Sequence, residues 1–150
     1  MSITVYIVEE PFIAGICEAF LEDEFPGVFR IELFHSSARA LASFRQARVK
    51  PEIVCASLLK MSGLELAYQI KSIEPKTRFL LMSGYPVSDA NAAILNADTP
   101  PDAFLPKPFT KDAFVGIIRA LVWGIALPLG DSNSGAWPFC DPRFLKRVSL

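Results

Sequence analysis

Five side chains in this sequence carry charge or a nucleophilic oxygen and stand at the end of an apolar run. Glu9 and Glu10 follow "ITVYIV" (3–8), and Ser57 ends "IVCAS" (53–57). Ser83 follows "TRFLLM" (77–82), and Lys107 follows "DAFL" (102–105), held between Pro106 and Pro108. Together they offer two carboxylates, two hydroxyls and one ammonium. Hydrolytic use of Ser57 would need a base. The surroundings are not G-x-S-x-G, and the single histidine, His35, lies after a different apolar run. A Ser-His-Asp arrangement is therefore not expected, and His35 reads as a polar strand-end residue.

The elements that must position these residues follow from periodicity. Residues 3–8 are β-branched and aromatic, which is strand chemistry. Between Pro11 and Glu24 the period changes to a helix, with Ile13, Ile16 and Phe20 on one stripe and Cys17 and Leu21 on another. "FPG" at 25–27 stops it. Strands over 28–34, 52–57, 77–82 and 102–105 alternate with helices over 36–47, 63–73, 88–97 and 110–123. Ser36 or Ser37 and Thr110 are the N-cap candidates. The third strand is apolar on both faces, as a covered central strand should be. Five β/α units with short links predict an α/β, flavodoxin-like, doubly wound parallel sheet of order 2-1-3-4-5. Strands 1, 3, 4 and 5 then end at one edge, which gathers Glu9, Glu10, Ser57, Ser83 and Lys107 in one crevice.

Composition sets the class. The 150 residues are 51% apolar and 21% charged, which is globular rather than disordered, and the net charge of -1 argues against a nucleic-acid binder. Cys17, Cys55 and Cys140 are odd in number and form no CxxC pair, so no disulfide framework or zinc site is signalled; Cys17 and Cys55 sit in apolar runs and are expected in the core. "MSITVYIV" lacks a basic start, and "ALVWGIALPLG" (120–130) is far short of the roughly 20 residues needed to span a bilayer. A soluble cytoplasmic protein with no membrane partner is expected.

The ordered set "YIVEE", "PEIVCAS…SGLEL", "FLLMSGYP" and "FLPKPFT" resembles the receiver domain of two-component response regulators over residues 3–123. The Lys-Pro-Phe unit is the most specific part. The resemblance implies an acidic pair, Glu9 and Glu10, that holds Mg²⁺. It implies a phosphoacceptor at position 57, a switch hydroxyl at Ser83, a phosphoryl-binding lysine at Lys107, and a cis Lys107–Pro108 bond. Phe104 or Tyr85 would be the aromatic that swings with the switch hydroxyl, Phe104 matching the position better; plain packing is the other reading. Ser83 beside Gly84 also reads as an ordinary turn residue.

The chain departs from that family at the chemistry. Position 57 is Ser, not Asp, so no carboxylate is present to form an acyl phosphate or to bind a cation. The pair is Glu-Glu, each one methylene longer than Asp, where Mg²⁺ demands oxygens at about 2.0–2.1 Å. The loop "LLKMSG" after the third strand is about two residues shorter than in the family, and Pro11 follows the pair directly. Two carboxylates against one lysine leave about −1 in the crevice, where three would leave about −2. Mg²⁺ binding is expected to be weak at best, and Lys107 is expected to pair with Glu9 or Glu10. The resemblance then implies a stand-alone, non-enzymatic, degenerate receiver that acts by phosphorylation-independent protein–protein interaction. The alternative is a phospho-receiver of a histidine-kinase phosphorelay with a non-standard acceptor and Mg²⁺.

Expected partners are a histidine kinase, another response regulator, or a second copy through the helix 88–97, strand 102–105 and helix 110–123 face. Residues 124–150 extend beyond a receiver. "GDSNSG" (130–135) is a turn, and Asp141-Pro142 starts a short helix with an apolar face. Trp137, Phe139 and Phe144 are too apolar to lie in water, so this extension is expected to pack on the domain or clasp a second subunit.

Overall fold

A computed structural model of the chain describes residues 2–57, 63–84 and 99–124. In order they form β1 (Ile3–Val8), α1 (Pro11–Glu24), β2 (Phe29–Phe34), α2 (Ser37–Gln46), β3 (Ile53–Ser57), α3 (Gly63–Ile73), β4 (Arg78–Ser83), β5 (Ala103–Pro106) and α4 (Lys111–Trp123). All strand pairs are parallel, in the order β2-β1-β3-β4-β5. This is the flavodoxin-like doubly wound sheet. Four helices lie among the described residues; the helix expected over 88–97 and the extension from 125 onward lie outside them.

The local chemistry explains each helix. Glu10 caps α1 by accepting the Ile13 N–H at 3.1 Å, with Pro11 at the first helical position, where a missing N–H costs nothing. Ser36, not Ser37, caps α2. Thr110 caps α4 through the Ala113 N–H, and Gly124, at φ 68°, ends it in the left-handed conformation that glycine tolerates best. Strand ends differ from the sequence reading by one residue. Ser83 is the last residue of β4 rather than the first beyond it, because its carbonyl accepts the Lys107 N–H at 2.7 Å and extends the β4–β5 pairing.

Right-handed crossovers place α1 and α4 on one face and α2 and α3 on the other, and the observed helix contacts, α1 with α4 and α2 with α3, agree. The core runs through β1, β3 and β4, where Val5, Ile7, Ile53, Cys55, Leu80 and Leu81 are fully buried. On α1 the buried stripe is Ala14, Cys17 and Leu21, with Ile13 and Phe20 at its border. On α3 the buried stripe is Leu66, Ala67 and Ile70, while Ile73, in the last position, is 38% exposed. At the N-terminal end of the sheet, Asp102 is a buried anchor. Its carboxylate accepts the Phe79 N–H at 2.8 Å, its own N–H donates to the Phe79 carbonyl, and Lys71 pairs with it at 2.5 Å. No helix among the described residues is long and apolar enough to cross a membrane.

Candidate crevice at the carboxyl ends of the strands

The crevice lies where open α/β sheets place their chemistry, beyond the carboxyl ends of the central strands. Three of the five polar residues come together around Lys107. Its ammonium lies 2.6 Å from Glu9 Oε2 and donates to Ser57 Oγ at 3.4 Å. Glu9 and Ser57 are 4% and 5% exposed, so the ion pair is largely shielded from water. Glu9 Oε1 accepts the Glu10 N–H at 3.0 Å. Oε2 makes the ion pair but, among the described residues, no directional hydrogen bond. The contact with Lys107 is therefore Coulombic closeness rather than an aligned bond.

Strand and loop geometry deliver these side chains. Glu9 continues β1, its N–H donating to the Phe34 carbonyl. Ser57 is the last residue of β3. Lys107 is tethered through its backbone to Ser83, and its peptide bond to Pro108 is cis. Gly63 opens α3 against this corner: a Cβ there would stand 2.6 Å from the Ser57 carbonyl oxygen and 2.5 Å from Leu81 Cδ1. Only a residue without a Cβ lets α3 start so close to the end of β3.

The other expected residues lie differently. Glu10 turns its carboxylate to the first turn of α1, so the two members of the acidic pair serve separate purposes. Ser83 is fully buried, and Phe104 is fully buried within the core. Tyr85 lies outside the described residues. The sequence reading missed how His35 enters. Its Nδ1 lies 3.0 Å from the Glu9 carbonyl oxygen; a carbonyl only accepts, so this nitrogen carries the proton. Phe12, 72% exposed on the first turn of α1, was also missed; an apolar residue at an exposed helical position was the only signal.

The donor set is a poor match to Mg²⁺. That ion needs several hard oxygens in octahedral array, but Glu9 Oε2 is held by an ammonium, Glu10 caps a helix, and Ser57 supplies a neutral hydroxyl. Among the described residues, no three His, Cys, Asp or Glu side chains gather where they could hold a metal. Beneath the crevice, burial pushes the Cys17 thiol up to about 12, reinforced by Glu9 and partly offset by Lys107. Burial also raises Cys55 well above its ordinary value.

No family model matches the chain, and no curated protein is similar to it in sequence. Solved structures are similar in fold. A CheY-like response regulator receiver domain protein from Methanospirillum hungatei has a TM-score of 0.68 at 20% identity, covering 79% of this chain and 92% of that one. The chemotaxis response regulator CheY4 of Vibrio cholerae has a TM-score of 0.66 at 16% identity, covering 81% and 99%. The receiver domain of a sensor histidine kinase from Pseudomonas aeruginosa, with magnesium coordinated in its active-site cleft, has a TM-score of 0.66 at 17% identity, covering 79% and 96%. The fold is that of receiver domains.

Proposed function

We propose that this chain is a degenerate receiver, a non-enzymatic module of bacterial two-component signalling that works by protein–protein contact without phosphorylation. The observation that carries the reading is the shielded Lys107–Glu9 pair, 2.6 Å apart, with a serine at the strand end where a receiver carries its aspartate. In phosphoryl transfer the lysine and the metal neutralise charge developing on the transferred group. Here the lysine is already neutralised by Glu9, and no acceptor carboxylate competes for it. A site so arranged has one state rather than two.

A module without a phosphorylation switch acts through its surface, in the cytoplasm, on a histidine kinase or another response regulator. The strand 102–105 and helix 110–123 part of the face expected to bind partners or a second copy is β5 and α4; residues 88–97 of that face lie outside the described residues. Phe12, exposed on the first turn of α1, adds an apolar side chain to the surface open to such contact.

The test is phosphoryl mimicry. The protein is titrated with Mg²⁺ and beryllofluoride while amide resonances of residues around Ser57 and Lys107 are followed, and separately incubated with acetyl phosphate and Mg²⁺ before intact-mass measurement. Unchanged resonances and unchanged mass are expected. A stable adduct about 80 Da heavier, the mass a phosphoryl group adds in place of a proton, would establish the phospho-receiver with a non-standard acceptor instead.

A further inference from the structure

We propose that β2 is a self-association strand, pairing antiparallel with β2 of a second copy to join two sheets edge to edge. Among the described residues β2 has one strand neighbour, β1, and no described strand pairs with its other side. The ladder with β1 fixes which groups point outward. The Ile3 N–H donates to the Val28 carbonyl and the Glu9 N–H to the Phe34 carbonyl, and Thr4 lies opposite Arg30. In a parallel pair alternate residues bond the same neighbour, so Val28, Arg30, Glu32 and Phe34 face β1. The N–H and C=O groups of Phe29, Ile31 and Leu33 face away from the sheet.

Of the usual edge protections this strand carries only charged side chains, Arg30 and Glu32. "FRIELF" is six residues long and regular, with no Pro, Lys or bulge to deter pairing. Its charges select a partner and a register. Arg30 and Glu32 share the α2 face, where they line a polar cavity of about 360 Å³ together with Tyr6 and Ser43. Among the described residues neither Arg30 nor Glu32 has an ion-pair partner.

Only registers that set outward-facing residues against outward-facing residues can bond. Centring the pair on Arg30 puts two guanidiniums face to face, and centring it on Glu32 opposes two carboxylates; like charges directly opposite are unfavourable. Centring it on Ile31 sets Arg30 of each copy opposite Glu32 of the other, twice over. It also sets Phe29 opposite Leu33 and Ile31 opposite itself on the other face. The Arg–Glu positions are then the non-hydrogen-bonded pairs, where side chains approach closest. The strand is complementary to itself under a two-fold axis, which is what an isologous dimer requires.

Sedimentation velocity on the full chain from about 1 µM to about 1 mM brackets an interface of this kind. A concentration-dependent dimer is expected. Arg30→Glu and Glu32→Arg each replace two attractive pairs with two repulsive ones and should weaken dimerisation about tenfold or more. The double variant restores the pairing with signs exchanged and should dimerise like the parent. An equimolar mixture of the two single variants should form heterodimers, which also shows that each is folded. A parent chain that stays monomeric throughout overturns the proposal. So does a dimer unaffected by either reversal, or a double variant no better than the singles.

Discussion

Glu9 holds the crevice in its present state through one contact. Its carboxylate is nearly inaccessible and its counter-charge is Lys107, itself only 16% exposed. Breaking a shielded pair by removing one partner strands the other, whereas removing both together is close to neutral. Lys107→Met should therefore lower unfolding free energy by about 3 kcal/mol, while Glu9→Gln with Lys107→Met should return to within about 1 kcal/mol of the parent. Urea denaturation of the three proteins checks this; equal losses in the single and double variants would show that packing of the lysine stem, not charge, is what matters. Cys17 gives a second expectation. Its folded value of about 12 lies above the ordinary 9.0 of a free thiol, so the folded state prefers the protonated form. That contribution is fully present below pH 9, and is lost as pH rises toward 12. With Cys140 replaced by Ser, the native protein should consume almost no thiol reagent at pH 8 and two equivalents once denatured; rapid labelling in the native state would contradict the burial of Cys17 and Cys55.

Elements meet at two tight points, one at each end of the sheet. At the crevice end, α3 begins against the Ser57 carbonyl, and Gly63→Ala would force a Cβ to within 2.6 Å of backbone. The cost should be about 1–3 kcal/mol, typical of overpacking, and because the displaced atom belongs to β3 the shift should reach the Ser57 and Lys107 amide resonances. A destabilised variant with those resonances unmoved would place the strain elsewhere. At the other end, Asp102 receives the Phe79 N–H and the Lys71 ammonium. Asp102→Ala leaves both without their acceptor, and a loss of about 3 kcal/mol in urea unfolding is expected. Neither point could be read from local pattern. Periodicity reports which face of an element is apolar; it does not report that an aspartate before β5 meets a lysine on α3. The one-residue differences at strand ends have the same origin. Ser83 belongs to β4 because of a bond to Lys107, a partner on another strand.

At the scale of the whole molecule, the alternation of strand and helix made the sheet order legible, since five β/α units with right-handed crossovers leave few topologies. That order in turn made the crevice legible, because it puts the ends of β1, β3 and β5 together. What stayed illegible was how the crevice divides its charges: Glu9 goes to Lys107, while Glu10 goes to the first turn of α1. This division bears on whether an aspartate at position 57 would let the crevice bind a metal. Ser57→Asp adds a carboxylate at the strand end, but within reach of an ammonium that already lies 3.4 Å from Ser57 Oγ. The new carboxylate and Glu9 would share Lys107, and Glu10 would remain at its helix cap. A ligand stabilises a fold only as far as its concentration exceeds its dissociation constant. In 10 mM MgCl₂, about ten times the weakest dissociation constants typical of oxygen-ligand cation sites, the melting temperature of Ser57→Asp should rise by less than about 1 °C. A rise of several degrees in the variant, absent from the parent, would mean that Glu9 and Glu10 can still be recruited to a metal. The proposed departure from receiver chemistry would then rest on position 57 alone rather than on the arrangement of the whole crevice.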